Sequence, residues 1–271
     1  MTEEHAVFNN YFDREHDVLI IAGDPSPLNR DLDLPLLASD IQHDPLTVQL
    51  LRDGLAAMSL YLLSKPKFES FGWTVSLKDP RLNLFFSGSA RNQTVIGRAF
   101  FENLRDEPRS LLYVQTSRPT GNVQTSCIEV EGLDIFGMVE LYSRQSDQRE
   151  LRFFHTEDDR TGLVQTFPGT QADWFEALDN RGLAGLVEGN QLRKMVRHGI
   201  RFACGCDLDR IIGILVQSYG DQSEELFQGD PAVEAECPRC GARQVITRHD
   251  YEVALAERGD LSDGQDRQAG A

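Results

Sequence analysis

An α+β fold is predicted for this chain by three features of its sequence. Apolar runs with a period of two, which mark strands, mix with apolar stripes at helical spacing, and no regular β-α-β period joins them. Four of the five cysteines fall late, as Cys204-Gly205-Cys206 and Cys237-Pro238-Arg239-Cys240, on a segment short enough to fold back on itself. Between the two parts lies a stretch interrupted by Gly182, Gly185, Gly189 and Gly199, which reads as a connector rather than as core. The expected organisation is an α+β core domain over residues 1–169, a helical linker over 170–203, a C-terminal cysteine module over 204–257 and a disordered tail over 258–271.

Taken in order, Asp17 to Asp24 reads as a short buried strand ending in a Gly-Asp-Pro turn, followed by a Pro- and Asp-rich loop to Asp44. Asp44-Pro45 then opens a helix, with Asp44 as N-cap and Pro45 at the first helical position. Leu46, Leu50, Leu51, Leu55, Met58 and Leu62 form its apolar stripe, and Lys65-Pro66 stops it. Trp73, Val75 and Leu77 alternate with polar residues, Lys78 to Arg81 turns, and Leu82, Leu84 and Phe86 alternate back, which predicts a hairpin. Arg98 to Leu104 reads equally as a short helix or an edge strand, and Leu111–Thr116 and Gln124–Val130 as further strands. Cys127, in the second of these, is expected to be a buried packing thiol. Asp134 caps a helix to Tyr142, and strands over 149–154 and 162–167 flank a turn containing Asp158 and Asp159.

Thr170 is expected to cap a short helix carrying Trp174, Phe175 and Leu178. Beyond it Leu183, Leu186, Val187, Leu192, Met195, Val196 and Ile200 supply an apolar face. Each interior glycine weakens a helix by about 1 kcal/mol relative to alanine, so the linker should be helical only while docked. Asp207 caps the next helix, a strand pair follows over 233–236 and 245–247, and a last short helix runs from Asp250 to Glu257.

Composition sets limits on function. The chain has 271 residues, 40% hydrophobic and 26% charged, with a formal net charge of −16 and a pI near 4.8. Such acidity disfavours nucleic acid, whose phosphates are repelled. The absence of an eighteen-residue apolar run disfavours a membrane span, and a start at Met1-Thr2-Glu3-Glu4-His5 without a basic region and apolar stretch leads to an expected cytoplasmic location. No Gly-rich phosphate loop, Gly-x-Ser-x-Gly elbow or His-x-x-x-His pair is present, so no enzyme is expected; Asp158-Asp159 reads as a solvated turn.

The cysteines read differently. Two close pairs of thiolates brought opposite each other supply the tetrahedron of roughly 2.3 Å bonds that zinc accepts, and soft sulfur donors select zinc, copper(I) or iron–sulfur clusters over magnesium or calcium. The expected ligands are therefore Cys204, Cys206, Cys237 and Cys240, holding one zinc per chain. His198 and His249 flank the segment without being needed, because four thiolates complete the shell. A thioredoxin-like pair, permanent disulfides and a purely architectural zinc knuckle are the competing readings. The single residue between Cys204 and Cys206 favours a labile site, since a disulfide across so small a ring is strained.

The pattern Phe202-x-Cys204-x-Cys206-x3-Arg210, then Gly220, Glu224-Glu225-Leu226 and Val233-x3-Cys237-x2-Cys240, resembles the zinc domain of the redox-regulated heat-shock chaperone family of about 33 kDa, cytosolic holdases. Upstream, Tyr142 to Gln148 resembles the family's Tyr-Phe-x-x-Ser-Glu-Gln segment, and Gly162 to Gly169 its Gly-Leu-Leu-x-Gln-x-Leu-Pro-Gly. The resemblance implies a substrate-binding core, a metastable linker and a zinc-binding redox-switch domain. It implies that oxidation pairs Cys204 with Cys206 and Cys237 with Cys240, releases zinc and exposes surface for unfolded client proteins under oxidative and heat stress. A homodimer on oxidation is compatible with it. A zinc-stabilised adaptor with an inert metal is the alternative from another functional class.

Overall fold

The computed structural model describes residues 5–38, 43–156, 158–188 and 192–266. The chain divides into two compact units, Met1–Cys204 and Gly205–Ala271. Together they give the mixed α+β fold that the pattern of the sequence predicts.

The first unit carries β1 (Ala6–Asp13), β2 (Val18–Gly23), α1 (Ser26–Ala38), α2 (Pro45–Leu63), β3 (Ser70–Leu77), β4 (Leu82–Ser89), β5 (Thr94–Phe100), β6 (Leu111–Ser117) and β7 (Gln124–Glu129). It continues with α3 (Ile135–Tyr142), a π-helical turn (Ser143–Asp147), β8 (Leu151–His155), β9 (Thr161–Thr166), α4 (Ala172–Ala177), α5 (Asn180–Glu188) and β10 (Arg193–Phe202). All ten strands join one sheet in the order β7-β6-β3-β4-β5-β10-β1-β2-β9-β8.

The core forms around α2. Asp44 accepts a hydrogen bond from Thr47 N at 3.0 Å, the N-cap that the sequence announces. Leu50, Leu51, Leu55, Met58, Tyr61 and Leu62 of α2 are buried against β4 and β5, while Leu46 stays exposed. Each fully buried aliphatic side chain contributes roughly 1.5–3 kcal/mol. Gly54 sets how closely α2 approaches the sheet: a Cβ there would lie 2.0 Å from Cζ of Phe86, far closer than van der Waals contact allows. By length and composition α2 could cross a membrane, and its burial in the fold marks it as the core helix. The Trp73 hairpin forms as predicted, with Leu77 opposite Leu82.

Several expectations are corrected. The segment before Asp44 holds a hairpin and a helix rather than one strand and a loop: β1 pairs with β2, and α1 occupies 26–38. Ser26 N donates to Asp24 Oδ1 at 2.8 Å to start α1, Pro27 falls in the first turn where no N–H is required, and Leu28 and Leu32 are buried one above the other. Residues 98–100 are strand, the end of β5, inside the sheet rather than at its edge. Cys127 is exposed, because β7 is the last strand of the sheet and its outward residues face solvent. Helix α4 begins after Gln171, while Thr170 Oγ1 donates to Asp17 O at 2.7 Å instead of capping.

The expected helical linker is helical only in its first part, over α4 and α5. Residues 193–202 form β10, the sixth strand in the sheet order, paired antiparallel to β1 from Phe12↔Arg193 to Ala6↔Ile200. The partner lies far away in sequence, so local periodicity could not reveal it.

The second unit contains α6 (Leu208–Tyr219), α7 (Ser223–Phe227), the antiparallel pair β11 (Ala232–Glu236) and β12 (Arg243–Thr247), and α8 (Arg248–Asp266). Its core is Ile212, Val216, Phe227, Ile246 and Tyr251. Tyr251 packs edge-on to Phe227 at 5.7 Å and its hydroxyl donates to Gly220 O at 2.8 Å. Helix α8 runs past Glu257 to Asp266, where a tail was expected from residue 258; Ala254 to Arg258 are good helix formers with no proline among them. The end of the expected tail, 267–271, lies outside the described residues.

Candidate metal centre

Two turns bring the cysteines together. Gly205, between Cys204 and Cys206, has φ +66°, a left-handed conformation that glycine adopts without penalty. Asp207 then caps α6 by accepting from Arg210 N at 2.9 Å, and Arg210 Nη1 donates to Gly205 O at 3.3 Å. On the other side the β11–β12 connection closes as a tight loop. Gly241 N donates to Cys237 O and Cys237 N to Ala242 O, both at 2.8 Å, and Gly241 again has a left-handed φ of +77°.

The result is one cluster. The Sγ atoms of Cys204, Cys206, Cys237 and Cys240 all lie within 4.8 Å of one another, and those of Cys206 and Cys240 are 3.2 Å apart. Four sulfurs on a zinc ion with roughly 2.3 Å bonds stand about 3.8 Å apart, so the cluster matches a tetrahedral site in size and donor type. Cys237 is 4% exposed and the other three are partly covered. None of the five cysteines is disulfide-bonded. Helix α6 begins directly after Cys206-Asp207, and the Arg210 guanidinium lies beside Gly205. The four cysteines could hold a metal ion, consistent with zinc.

Other residues singled out from the sequence are placed elsewhere. Cys127 lies on β7, opposite Tyr113. His198 is buried on β10 with Gln93 Nε2 3.3 Å from its Nδ1, and burial pushes its pKa down. Asp158 sits in the β8–β9 turn, where hydrogen bonds from Thr156 and Arg160 lower its pKa.

One buried polar cluster has no signal in local sequence. The Tyr61 hydroxyl donates to Asp147 Oδ2 at 2.7 Å, and Lys65 Nζ donates to the same oxygen. Burial raises the Tyr61 pKa and lowers that of Lys65. Asp147 ends the π-helical turn after α3, so the Tyr142–Gln148 segment serves as the anchor of that turn on α2. Its partners are 82 and 86 residues away, which hides the cluster from any short motif.

An acidic α+β protein with a C-terminal four-cysteine centre is thus the class that fold and site define. No family model matches the chain. Two curated proteins called 33 kDa chaperonin are similar to part of it. The one from Lactobacillus helveticus is 20% identical over 100 residues, 37% of this chain and 34% of that protein, and the one from Lactobacillus acidophilus is 21% identical over the same length and shares. The match spans about a third of these relatives' length. The crystal structure of the 33 kDa chaperonin (heat shock protein 33 homolog) from Thermotoga maritima shares the fold, with a TM-score of 0.65 at 13% identity, over 95% of this chain and all of that one. The chain thus has the fold of that chaperonin and weak sequence similarity, over about a third of its length, to two proteins that bear the same name.

Proposed function

We propose that this protein is a non-enzymatic stress chaperone, a holdase for unfolding proteins, whose four-cysteine zinc centre is its redox switch. The observation that carries the reading is the convergence of Cys204, Cys206, Cys237 and Cys240 within 4.8 Å on a chain with the fold of a 33 kDa chaperonin. In the reduced state the four thiolates hold zinc. A peroxide oxidises each neighbouring pair: two thiolates lose two electrons to form Cys204–Cys206 or Cys237–Cys240, and each peroxide takes those electrons and two protons to become two waters. Zinc then leaves, and with it the folding energy of the C-terminal unit.

The surface uncovered is proposed to lie beneath α4 and α5. These helices bury Phe175, Leu183 and Ala184 against Val18, Ile20, Ala22, Phe154 and Val164 of the sheet. Polar bonds and one ring stack add to this apolar contact. Arg152 Nη1 donates to Phe175 O and Leu178 O, Asn180 exchanges two 2.8 Å hydrogen bonds with the His155 backbone, and the His16 ring stacks on Trp174 at 3.8 Å. The metastable linker is accordingly narrowed to residues 170–188, because β10 is tied into the sheet. A cytoplasmic location fits this chemistry, since only a reducing compartment keeps the thiols ready.

A second reading, a binding or adaptor protein with an inert structural zinc, is favoured by one observation, the burial of Cys237. Two measurements on the same sample separate them. Zinc-loaded protein is expected to leave a thermally unfolding client to aggregate, and peroxide-treated protein to suppress aggregation while releasing about one zinc per chain. Equal suppression before and after peroxide, with zinc retained, would leave the inert-metal reading standing.

A further inference from the structure

Strand β10 is paired along one edge and largely open along the other. Its partner β1 runs beside it from Arg193 to Ile200, whereas β5 meets it only at Arg201 and Phe202. Arg201 N donates to Gln93 O and Ala203 N to Val95 O, both at 3.0 Å, so these odd-numbered residues direct their N–H groups toward the β5 side. Strand alternation carries the same direction back to Gly199 and Arg197, and among the described residues no strand pairs with them there. Helix α1 packs against β10 near the buried Ile200, yet Met195 remains 56% and Val196 41% exposed.

The open end of this edge is shaped and charged. The register with β1 jumps from Asn10↔Val196 to Tyr11↔Lys194, leaving Met195 as a bulge. A bulge bends and twists its strand, and here Met195 and Val196 both line a cavity of about 330 Å³ with Phe12, Arg14 and Lys194. Phe12 is itself packed edge-on by Phe167 at 5.7 Å. Arg14, Lys194 and Arg197 are exposed, and none forms an ion pair among the described residues. These three unpaired cations stand out on a chain of net charge −16, although Asp13 and Glu15 flank Arg14.

We propose that this edge and cavity dock an extended peptide segment bearing acidic and apolar side chains, which adds to β10 as a strand. Backbone pairing along Met195–Gly199 supplies affinity independent of sequence. The cavity takes an apolar side chain, and the three cations select carboxylates. The site needs neither the metal nor its loss, so it is open in the reduced protein and stands or falls apart from the redox switch.

The test uses full-length, zinc-loaded, reduced protein and a fluorescent, terminally blocked peptide of about ten residues, a strand's length, alternating glutamate and valine. Saturable binding is expected below about 1 mM, weakened roughly tenfold or more when lysine replaces glutamate. A peptide with alternate backbone nitrogens methylated cannot pair and is expected not to bind. The double variant Arg14→Glu, Lys194→Glu, checked for fold by circular dichroism, should invert the preference between the two charge forms. Equal affinity for both peptides, undiminished binding of the methylated one, or sedimentation showing copies of the chain already paired through this edge would each overturn the proposal.

Discussion

The two units of this chain are stabilised by different means. The sheet unit buries Trp73, Tyr61, Phe86 and an extended aliphatic core around α2. Among the described residues, the C-terminal unit, residues 205–271, has a small buried core of Ile212, Val216, Phe227, Ile246 and Tyr251. A core of that size rarely supplies more than about 3–5 kcal/mol, and small domains of this kind rely on a metal or disulfides. On the proposed reading, a metal held by the cysteine centre replaces missing apolar burial, which would make one unit conditional and the other not.

The sharpest way to break that comparison is to remove the metal. Cys237→Ser, or a strong chelator, forfeits a binding energy of about 10–16 kcal/mol, more than the small core can offset. Hydrogen exchange should then show α6 to α8 exchanging as unfolded chain while α2, β3 and β4 stay protected; equal protection in both units would refute the difference. Next in size is Tyr251→Ala, which opens the small core and deletes the bond to Gly220 O, costing about 3–5 kcal/mol. Even metal-loaded protein should then show an early melting step confined to the C-terminal unit.

Gly54→Val tests the other side. It drives a side chain into Phe86 and should cost about 1–3 kcal/mol of the sheet unit's stability, with zinc content unchanged. The smallest effect concerns pH. Burial holds the His198 pKa below its ordinary 6.5, so the unfolded chain takes up a proton before the folded one does. That contribution to stability is present above 6.5 and is lost as pH falls through the unfolded value toward the lowered folded one. His198→Gln should flatten the thermal stability of the sheet unit across this range while leaving the C-terminal transition where it was.

Features governed by neighbours in sequence were legible. Asp44 and Asp207 cap their helices as predicted, the Trp73 hairpin keeps its register, and the four cysteines converge. Features governed by distant partners were not. Leu192 to Ile200 carries a helix-like apolar spacing, but β1 offers it a ladder of hydrogen bonds from the other end of the chain. Pro27 and several aspartates disguised α1 as loop, although Leu28 and Leu32 four residues apart marked its buried face. The exposure of Cys127 follows from β7 being outermost, a property of strand order that no window around the residue contains.

The position of β10 also dictates when the molecule can be finished. Its residues leave the ribosome after nearly all the rest of the first unit, yet they are what joins β1, along most of their length, to β5, at their end. Until then the nascent chain can assemble only two separate half-sheets, β7-β6-β3-β4-β5 and β1-β2-β9-β8, and β1 waits with an unpaired edge. A protein proposed to shelter unfolding clients thus passes through a stage in its own synthesis when it exposes the kind of sticky strand it would later guard against.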